Sequence, residues 1–161
     1  MSTIAPTTPE GLARFWSHVD KSGECWIWTA AIVRKYGMFG VLIDGKRVMR
    51  KAHRIAFELL KGQIPEGAVI DHICHREACV NPDHLRPVSV KQNAENRTGA
   101  NSGSKSGVRG VHWHEASGKW RVVIGHHGKH VYGGKFSSIP DAAVAARSLR
   151  LKLFTHSTEA P

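Results

Sequence analysis

Cysteines and long apolar runs are scarce in this sequence, and both absences limit what the protein can be. Three cysteines, an odd number, argue against a disulfide framework. No stretch is apolar enough for a membrane span, and the first residues lack the apolar centre of a signal peptide. We therefore expect a cytoplasmic protein, without a membrane partner, whose thiols are free or bind a metal.

Acidic residues are also few. The 13 Asp and Glu residues face 23 Lys and Arg residues, which gives a formal net charge of +10. A surplus of this size is typical of proteins that bind a polyanion, most often nucleic acid. Hydrophobic residues make up 41% of the 161 residues. This fraction is low for a single well-filled core, so we expect two small domains, one of them held by a metal.

Hydrophobic spacing and turn residues predict an α+β protein with a linker inside it. The stretch GANSGSKSG is small, polar and rich in glycine, which predicts that linker at residues 99–107. It separates a predicted domain at residues 1–98 from a more basic one at residues 108–156. Residues 101–161 contain nine Lys and Arg residues against three acidic ones.

The first predicted domain mixes helices with short strands. A hairpin is expected around a turn at Asp44-Gly45, and a short buried strand at Val69–Ile70 leads to Asp71. Ser89 and Gln92 have the spacing of a capping box at the start of a helix. The predicted helices of this domain are Pro9–Val19, Lys51–Lys61 and Ser89–Thr98. The second domain is predicted to be a small three-stranded antiparallel sheet followed by one helix that begins at Pro140.

Cys74, Cys79 and His84 follow one another at intervals of five residues in a polar loop. Two thiolates and an imidazole fit a tetrahedral zinc site, which takes four nitrogen or sulfur ligands. Cys25 is the remaining cysteine and could supply the fourth ligand. Because the loop has little apolar content, a zinc ion would hold its shape in place of a core. The alternative is free thiols in a surface loop.

Asp71, His72 and Asn93 form a second group with different chemistry. Carboxylate and amide oxygens suit Mg²⁺, which keeps several waters and takes few protein ligands. A neutral imidazole can accept a proton from water near physiological pH. A cation and an activated water are the main requirements for phosphodiester hydrolysis. The group therefore predicts a hydrolytic metal site, although an Asp-His pair with a distant Asn is not specific on its own.

The complete spacing of both groups resembles the motif of the His-Cys box homing endonucleases, a branch of the HNH (ββα-metal) superfamily. The motif reads His72-x-Cys74-x4-Cys79-x4-His84-x8-Asn93. The flanking stretches CWIWTA, AHRIAFELLKGQIPEG, CVNPDHL and NAENR extend the resemblance over about residues 23 to 98.

This resemblance implies a DNA endonuclease with a zinc-stapled ββα-metal domain. It implies that His72 is the general base and that Asp71 and Asn93 bind a catalytic Mg²⁺ or Mn²⁺ ion. Arg54 is expected to clamp the scissile phosphate. The implied structural zinc ligands are Cys25, Cys74, Cys79 and His84. The two branches of the superfamily differ at the position of His84, which is a zinc ligand in one and a loop support in the other.

The basic C-terminal part, from SGVRGVHWHEASGKW to the Ala-rich helix, resembles the plant ethylene-response-factor (APETALA type) DNA-binding domain. The resemblance covers about residues 107 to 154 and implies that a three-stranded sheet reads double-stranded DNA. Histidines replace the usual arginines at positions 112 and 114, and Tyr132 replaces a tryptophan, so the sequence preference does not transfer. The residues expected to face DNA are Arg109, His112, His114, Arg121 and Tyr132.

Together these patterns predict a metal-dependent DNA endonuclease of the phage homing type, encoded by a phage or a bacterium and acting as a monomer or a homodimer. The alternative is a non-catalytic, zinc-containing DNA-binding regulator. Such a regulator would need the cysteines and His84 but would have no use for Asp71, His72 and Asn93.

Overall fold

The computed structural model describes residue 6, residues 8–43 and residues 45–157. The chain forms two compact units, Met1–Asn93 and Ala94–Pro161. Both contain helices and small antiparallel sheets, as the sequence predicts. Among the described residues, no helix combines the length and the apolar character that crossing a membrane requires.

The first elements of the chain surround an aromatic core. They are α1 (Pro9–Trp16), β1 (Val19–Asp20), β2 (Ile27–Trp28), β3 (Ile32–Val33), β4 (Tyr36–Ile43), β5 (Lys46–Lys51) and α2 (Ala52–Lys61). Phe15 of α1 packs at 5.2 Å between ring centroids against both Trp28 and Phe39, and all three side chains are buried. Rings at these angles and distances attract each other beyond the area that they bury.

Helix α1 ends three residues earlier than the hydrophobic spacing predicts. Thr8 caps its start by accepting a hydrogen bond from the amide of Gly11. Val19 has the apolar character of a helix position, but it pairs with Trp28 in an antiparallel β1–β2 bridge. The prediction that the helix extends to Val19 is therefore wrong, because this strand pairing competes with the last helical turn.

The predicted hairpin and second helix are confirmed. Strands β3, β4 and β5 form an antiparallel sheet in which β4 is central. Asp44 of the predicted turn lies outside the described residues. Helix α2 stops at Gly62, whose φ of +95° favours glycine.

The second half of this part carries the candidate site. Strand β6 (Val69–His72) pairs antiparallel with β7 (Leu85–Val88), and the loop between them includes a short 3-10 helix, Pro82–His84. Helix α3 (Val90–Glu95) follows directly. Its start is the predicted capping box, since Gln92 Oε1 accepts from the Ser89 amide at 2.8 Å and Ser89 Oγ accepts from the Gln92 amide at 3.2 Å. The helix ends at Glu95 rather than Thr98.

The C-terminal unit contains the predicted three strands and helix. They are β8 (Val111–His114), β9 (Lys119–His126), β10 (Lys129–Phe136) and α4 (Ile139–Leu153), with β9 in the centre of the sheet. Val111 and Val122 pack against Ala142 and Ala146 of α4. The helix lies close because Gly133 has no side chain: a Cβ there would sit 3.0 Å from Leu149 Cδ2 of α4.

Residues 99–107, predicted to be a linker, contain hydrogen-bonded turns. The amide of Ser104 donates to the Asn101 carbonyl, and that of Gly107 donates to the Ser104 carbonyl. Ser106 Oγ donates to the carbonyl of Val111 at 2.8 Å, which ties the segment to β8. The predicted domain boundaries at residues 98 and 107 stay a prediction.

Candidate metal and hydrolytic centre

Strand β6 places Asp71 and His72 at its end, in register with β7. Asp71 lies opposite Arg86, and His72 lies opposite Leu85. The Asp71 side chain is buried, and its Oδ2 accepts a hydrogen bond from Arg86 Nε at 3.0 Å. A buried carboxylate needs such a partner, since an unpaired charge away from water is strongly unfavourable. Arg86 therefore supplies the cationic partner of this carboxylate.

The imidazole of His72 is oriented by the loop that it precedes. Its Nε2 lies 3.1 Å from the carbonyl oxygen of Cys79. A carbonyl only accepts hydrogen bonds, so Nε2 must carry the proton, and the lone pair of the neutral ring is on Nδ1. Burial lowers the pKa of His72, although the hydrogen bond to Cys79 and the charge of Asp71 act in the opposite direction. His72 is thus held as a neutral imidazole with a defined tautomer, which is the state that a general base requires.

His53 and Tyr36 form an aromatic wall beside His72. The ring of His53, on α2, packs edge to face against His72 with centroids 4.7 Å apart. Tyr36 lies 5.3 Å from His53 and 6.1 Å from His72. Burial, followed by the charge of His72, lowers the pKa of His53 to about 2. Neither residue was predicted to belong to the site; the only sequence signal is their place at the start of β4 and α2.

Four predicted zinc ligands come together in the structure. One ligand atom from each of the four residues lies within 4.8 Å of all the others; the residues are Cys25, Cys74, Cys79 and His84. Backbone pairing between the segment around Cys25 and the β6–β7 loop explains this. The amide of Trp28 donates to the Ala78 carbonyl at 2.9 Å, and the amide of Val80 donates to the Trp26 carbonyl at 2.7 Å.

The spacing of the cluster fits a tetrahedral zinc ion. Zn–S and Zn–N bonds of about 2.3 and 2.05 Å at the tetrahedral angle put sulfur and nitrogen about 3.6 Å apart. His84 Nδ1 lies 3.5 Å from Cys25 Sγ and 3.7 Å from Cys79 Sγ. The set of three thiols and one imidazole is also among the common structural zinc sites. The residues present therefore fit zinc.

The electrostatics of the cluster favour a cation. Burial, together with the neighbouring thiols, raises the pKa of Cys79 to about 12 and also raises that of Cys74. The amide of Asn81 donates to Cys79 Sγ at 3.4 Å, which partly offsets the penalty for a thiolate. A bound divalent cation would reverse the remaining penalty, because a thiol that coordinates a metal loses its proton.

Asn93 and Arg54 lie on helices that flank this region of the chain. Asn93 is exposed on α3, and its backbone N–H donates to the Ser89 carbonyl at 3.0 Å. Arg54 is half-buried on α2, next to His53. Their predicted roles, a metal ligand and a phosphate clamp, stay predictions.

In the C-terminal unit, the sheet face away from α4 carries polar and aromatic groups. A shallow groove on this face is lined by His112, Arg121 and Tyr132, three of the predicted DNA-facing residues, and also by His130. His130 was not among the residues predicted to face DNA, although its alternation with Val131 places it on the same face as Tyr132. His114 is the fourth residue predicted to face DNA. Its Nδ1 forms a hydrogen bond of 2.8 Å with Ser117 Oγ.

Arg109, the fifth residue predicted to face DNA, has its guanidinium inside its own unit. It donates to the carbonyls of Ala94, Glu95 and Arg97 at 2.7 to 2.9 Å. It also lies 5.0 Å from the ring centroid of Phe154. The side chain therefore ties residues 94–97 to the rest of the unit, and a DNA contact would have to compete with these hydrogen bonds.

Residues 50–95 match the family model described as HNH endonuclease. This segment is similar to HNH endonuclease domains. It contains β6, β7 and the loop between them, whereas Cys25 and residues 96–161 lie outside it. A protein of Enterobacteria phage T3, described as "Uncharacterized gene 5.3 protein", is 40% identical over 50 residues, which are 28% of this chain and 50% of that protein. The match thus spans about half the length of the phage relative. No solved structure matches the chain.

Proposed function

We propose that the chain is a metal-dependent DNA endonuclease that hydrolyses a phosphodiester bond at a recognised duplex site. Asp71 and Asn93 hold the catalytic Mg²⁺ or Mn²⁺ ion, and His72 is the general base. Nuclease activity is supported by the HNH endonuclease match of residues 50–95. A role in the mobility of a phage-borne element, as in homing endonucleases, is the proposed biological use.

The observation that carries this proposal is the hydrogen bond between His72 Nε2 and the Cys79 carbonyl. It makes Nδ1 the basic atom of the ring and fixes the direction in which that atom can accept a proton. In the reaction, Nδ1 takes a proton from water, the water oxygen attacks phosphorus, and the bond to the leaving sugar oxygen breaks. The divalent ion, when bound, supplies charge neutralisation at the leaving oxygen. Arg54 contacts a phosphate oxygen and holds the strand.

The zinc site has a structural role in this proposal. Zinc bound by Cys25, Cys74, Cys79 and His84 fixes the loop that contains the Cys79 carbonyl. Because this carbonyl orients His72, the ion supports catalysis without touching the substrate. His84 is then a zinc ligand rather than a loop support, which its distances to two sulfurs favour.

The C-terminal part is proposed to select the DNA site. Residues 108–156 form the ethylene-response-factor-like (APETALA type) module, which residues 99–107 join to the nuclease part at residues 1–98. His112, Arg121 and Tyr132 line one groove and form the proposed DNA face together with His114. Arg109 supports this module from inside. The protein acts as a monomer that nicks one strand or as a homodimer that cuts both.

One observation favours a second candidate, a zinc-containing DNA-binding regulator without catalysis. Asp71 is paired with Arg86, so its carboxylate already has a cationic partner and can be explained as a structural ion pair. A regulator would bind DNA and would leave it uncut whatever metal is present.

The two candidates are separated by incubating the zinc-loaded protein with supercoiled plasmid. For an endonuclease we expect nicked or linear DNA when Mg²⁺ or Mn²⁺ is added, and intact plasmid when EDTA is in excess. Gel-shift binding to the same DNA without cleavage at any divalent-ion concentration would support the regulator and contradict the endonuclease. Sequencing the ends then gives the site and shows whether one strand or both are cut.

A further inference from the structure

Helix α3, which contains Asn93, is short and has little apolar packing. Of its six described residues, only Glu95 is buried. Val90 is exposed over 69% of its surface, and Asn93 and Ala94 are exposed as well. Most helices in proteins are stabilised by a buried apolar face, and an isolated helix of this length is barely stable in water. Interactions at the two ends of α3 must therefore keep it helical.

Arg109 caps the C-terminal end of α3. The last carbonyl groups of a helix have no partner within that helix. Arg109 Nη2 donates to the Ala94 carbonyl at 2.7 Å, and Arg109 Nη1 donates to the Glu95 carbonyl at 2.9 Å. A guanidinium suits this place, because it offers several donors in one plane and its positive charge is favourable at the negative end of the helix dipole.

The capping side chain is itself held in place by the end of α4. The buried Arg150 donates from Nη1 to the backbone carbonyl of Arg109 at 2.6 Å. The guanidinium carbon of Arg109 lies 5.0 Å from the ring centroid of Phe154, which adds a cation–π attraction. A side chain that is already ordered loses little further rotamer entropy when it caps a helix. Arg109 is therefore a rigid support for the carbonyls that it binds.

Glu95 anchors the same helix end a second time. Its carboxylate is buried, and Oε2 accepts from the backbone N–H of Thr155 at 3.1 Å and from Thr155 Oγ1 at 3.3 Å. The last residue of α3 is thus bound through its carbonyl to Arg109 and through its side chain to Thr155. These contacts lie within the C-terminal unit, which begins at Ala94.

Asn93 directly precedes this anchored segment. Its backbone N–H donates to the Ser89 carbonyl at 3.0 Å, which is a hydrogen bond of the same short helix. When the cap is lost, this turn opens more often, and the Asn93 side chain no longer has a fixed direction. The apparent affinity of a site falls in proportion to the fraction of molecules that have the binding-competent conformation.

We propose that Arg109 is a positioning residue for Asn93. By capping α3, Arg109 keeps the last helical turn formed and so orients the Asn93 amide toward the catalytic ion. This inference rests on the proposed endonuclease function, in which Asn93 is a ligand of that ion. It gives Arg109 a role in metal binding in place of the DNA contact that its sequence pattern predicts.

The test compares Arg109→Met with Arg147→Met, which removes an exposed arginine from α4. Both are made in the full-length protein with zinc bound. The first measurement requires neither Mg²⁺ nor catalysis: hydrogen exchange of the Asn93 amide is followed by NMR. We expect exchange to be roughly tenfold or more faster in Arg109→Met, the effect of losing a hydrogen bond to a charged group. Arg147→Met should exchange at the wild-type rate.

The second measurement is the Mg²⁺ concentration that gives half-maximal cleavage of supercoiled plasmid. For Arg109→Met we expect this concentration to rise several-fold, while the rate at saturating Mg²⁺ stays near that of the wild-type protein. Binding of a labelled duplex without Mg²⁺, measured by anisotropy, should not change. Arg109→Lys keeps the charge but has no planar fork, so its exchange rate and Mg²⁺ requirement should be intermediate. The Lys variant also replaces the Met variant in every comparison if Arg109→Met does not fold.

The inference is overturned if the variant leaves the exchange of the Asn93 amide unchanged, or if exchange becomes faster while the Mg²⁺ requirement stays the same. It is also overturned if the variant keeps the wild-type Mg²⁺ requirement and binds DNA more weakly, with a salt slope lower by about 0.9; Arg109 would then be a phosphate contact. A wild-type protein that does not cleave DNA with Mg²⁺ would refute the endonuclease function instead, and the exchange measurement would still test the cap.

Discussion

Removal of zinc from the cluster of Cys25, Cys74, Cys79 and His84 should strongly destabilise the N-terminal unit. A ligand that binds only the folded protein stabilises it by about 4 kcal/mol when its free concentration is a thousand times its Kd. In a unit of this size, each kcal/mol shifts Tm by about 4 to 8 °C. Chelation should therefore lower the Tm of the wild-type protein by roughly 15 to 30 °C.

The variant Cys25→Ser isolates the contribution of the ligand that is distant in sequence. Cys25 is half-buried, and its sulfur lies 3.5 Å from His84 Nδ1. With zinc we expect a much lower Tm than for the wild-type protein. In excess chelator the two proteins should unfold at nearly the same temperature, which is the internal control, because exchanging sulfur for oxygen matters little when no ion is bound.

The assay is differential scanning fluorimetry of both proteins in zinc and in chelator, with zinc content determined by elemental analysis. We expect one zinc per wild-type chain and clearly less in the variant. A structural zinc site with Cys25 as a ligand is refuted if chelation leaves the wild-type Tm unchanged, or if Cys25→Ser retains one zinc per chain and the wild-type Tm.

Two further predictions concern buried ionisable side chains beside the site. Because the pKa of His53 falls from 6.5 to about 2 on folding, only the unfolded chain takes up this proton between those values, so stability should fall by about 1 kcal/mol between pH 6.5 and 5.5. His53→Phe should remove this part of the acid dependence in urea titrations at pH 6.5 and 5.5, and an unchanged slope would contradict the assignment. Arg86→Gln should cost about 1 to 3 kcal/mol in urea denaturation, because it leaves the buried Asp71 carboxylate without its ion pair; unaltered stability would show that the pair contributes nothing.

Spacing and periodicity predicted the parts of the fold that depend on local sequence. The capping box at Ser89, the β4–β5 hairpin and helix α2 all follow from nearby residues. Cys25 lies beside the β6–β7 loop because backbone segments that are distant in sequence pair with each other. In the sequence, only the number of zinc ligands indicated this contact. Once a tetrahedral site is assumed, three ligands in one loop require a fourth from elsewhere.

Other features could not be predicted because tertiary context decides them. Strand β7 contains Pro87, which argues against a strand, yet the pairing with β6 is two-stranded and proline is tolerated at an edge. Arg109 carries a guanidinium of the kind that contacts DNA, but this group donates hydrogen bonds to carbonyls of its own unit. His53 lies at an ordinary core position of an amphipathic helix, and only the fold brings it against His72.

The rate of DNA cleavage by a His72 variant shows whether this imidazole is the general base. His72→Asn is compared with His75→Asn, a matched change at an exposed histidine of the loop that follows β6, whose φ of 55° asparagine tolerates. Cleavage of supercoiled plasmid is followed at saturating protein with Mg²⁺, after equal zinc content and equal DNA binding have been verified. Loss of a general base predicts a rate at least about 100-fold lower for His72→Asn and a nearly wild-type rate for His75→Asn. A His72→Asn protein that cleaves at the wild-type rate would contradict the role of His72 as general base.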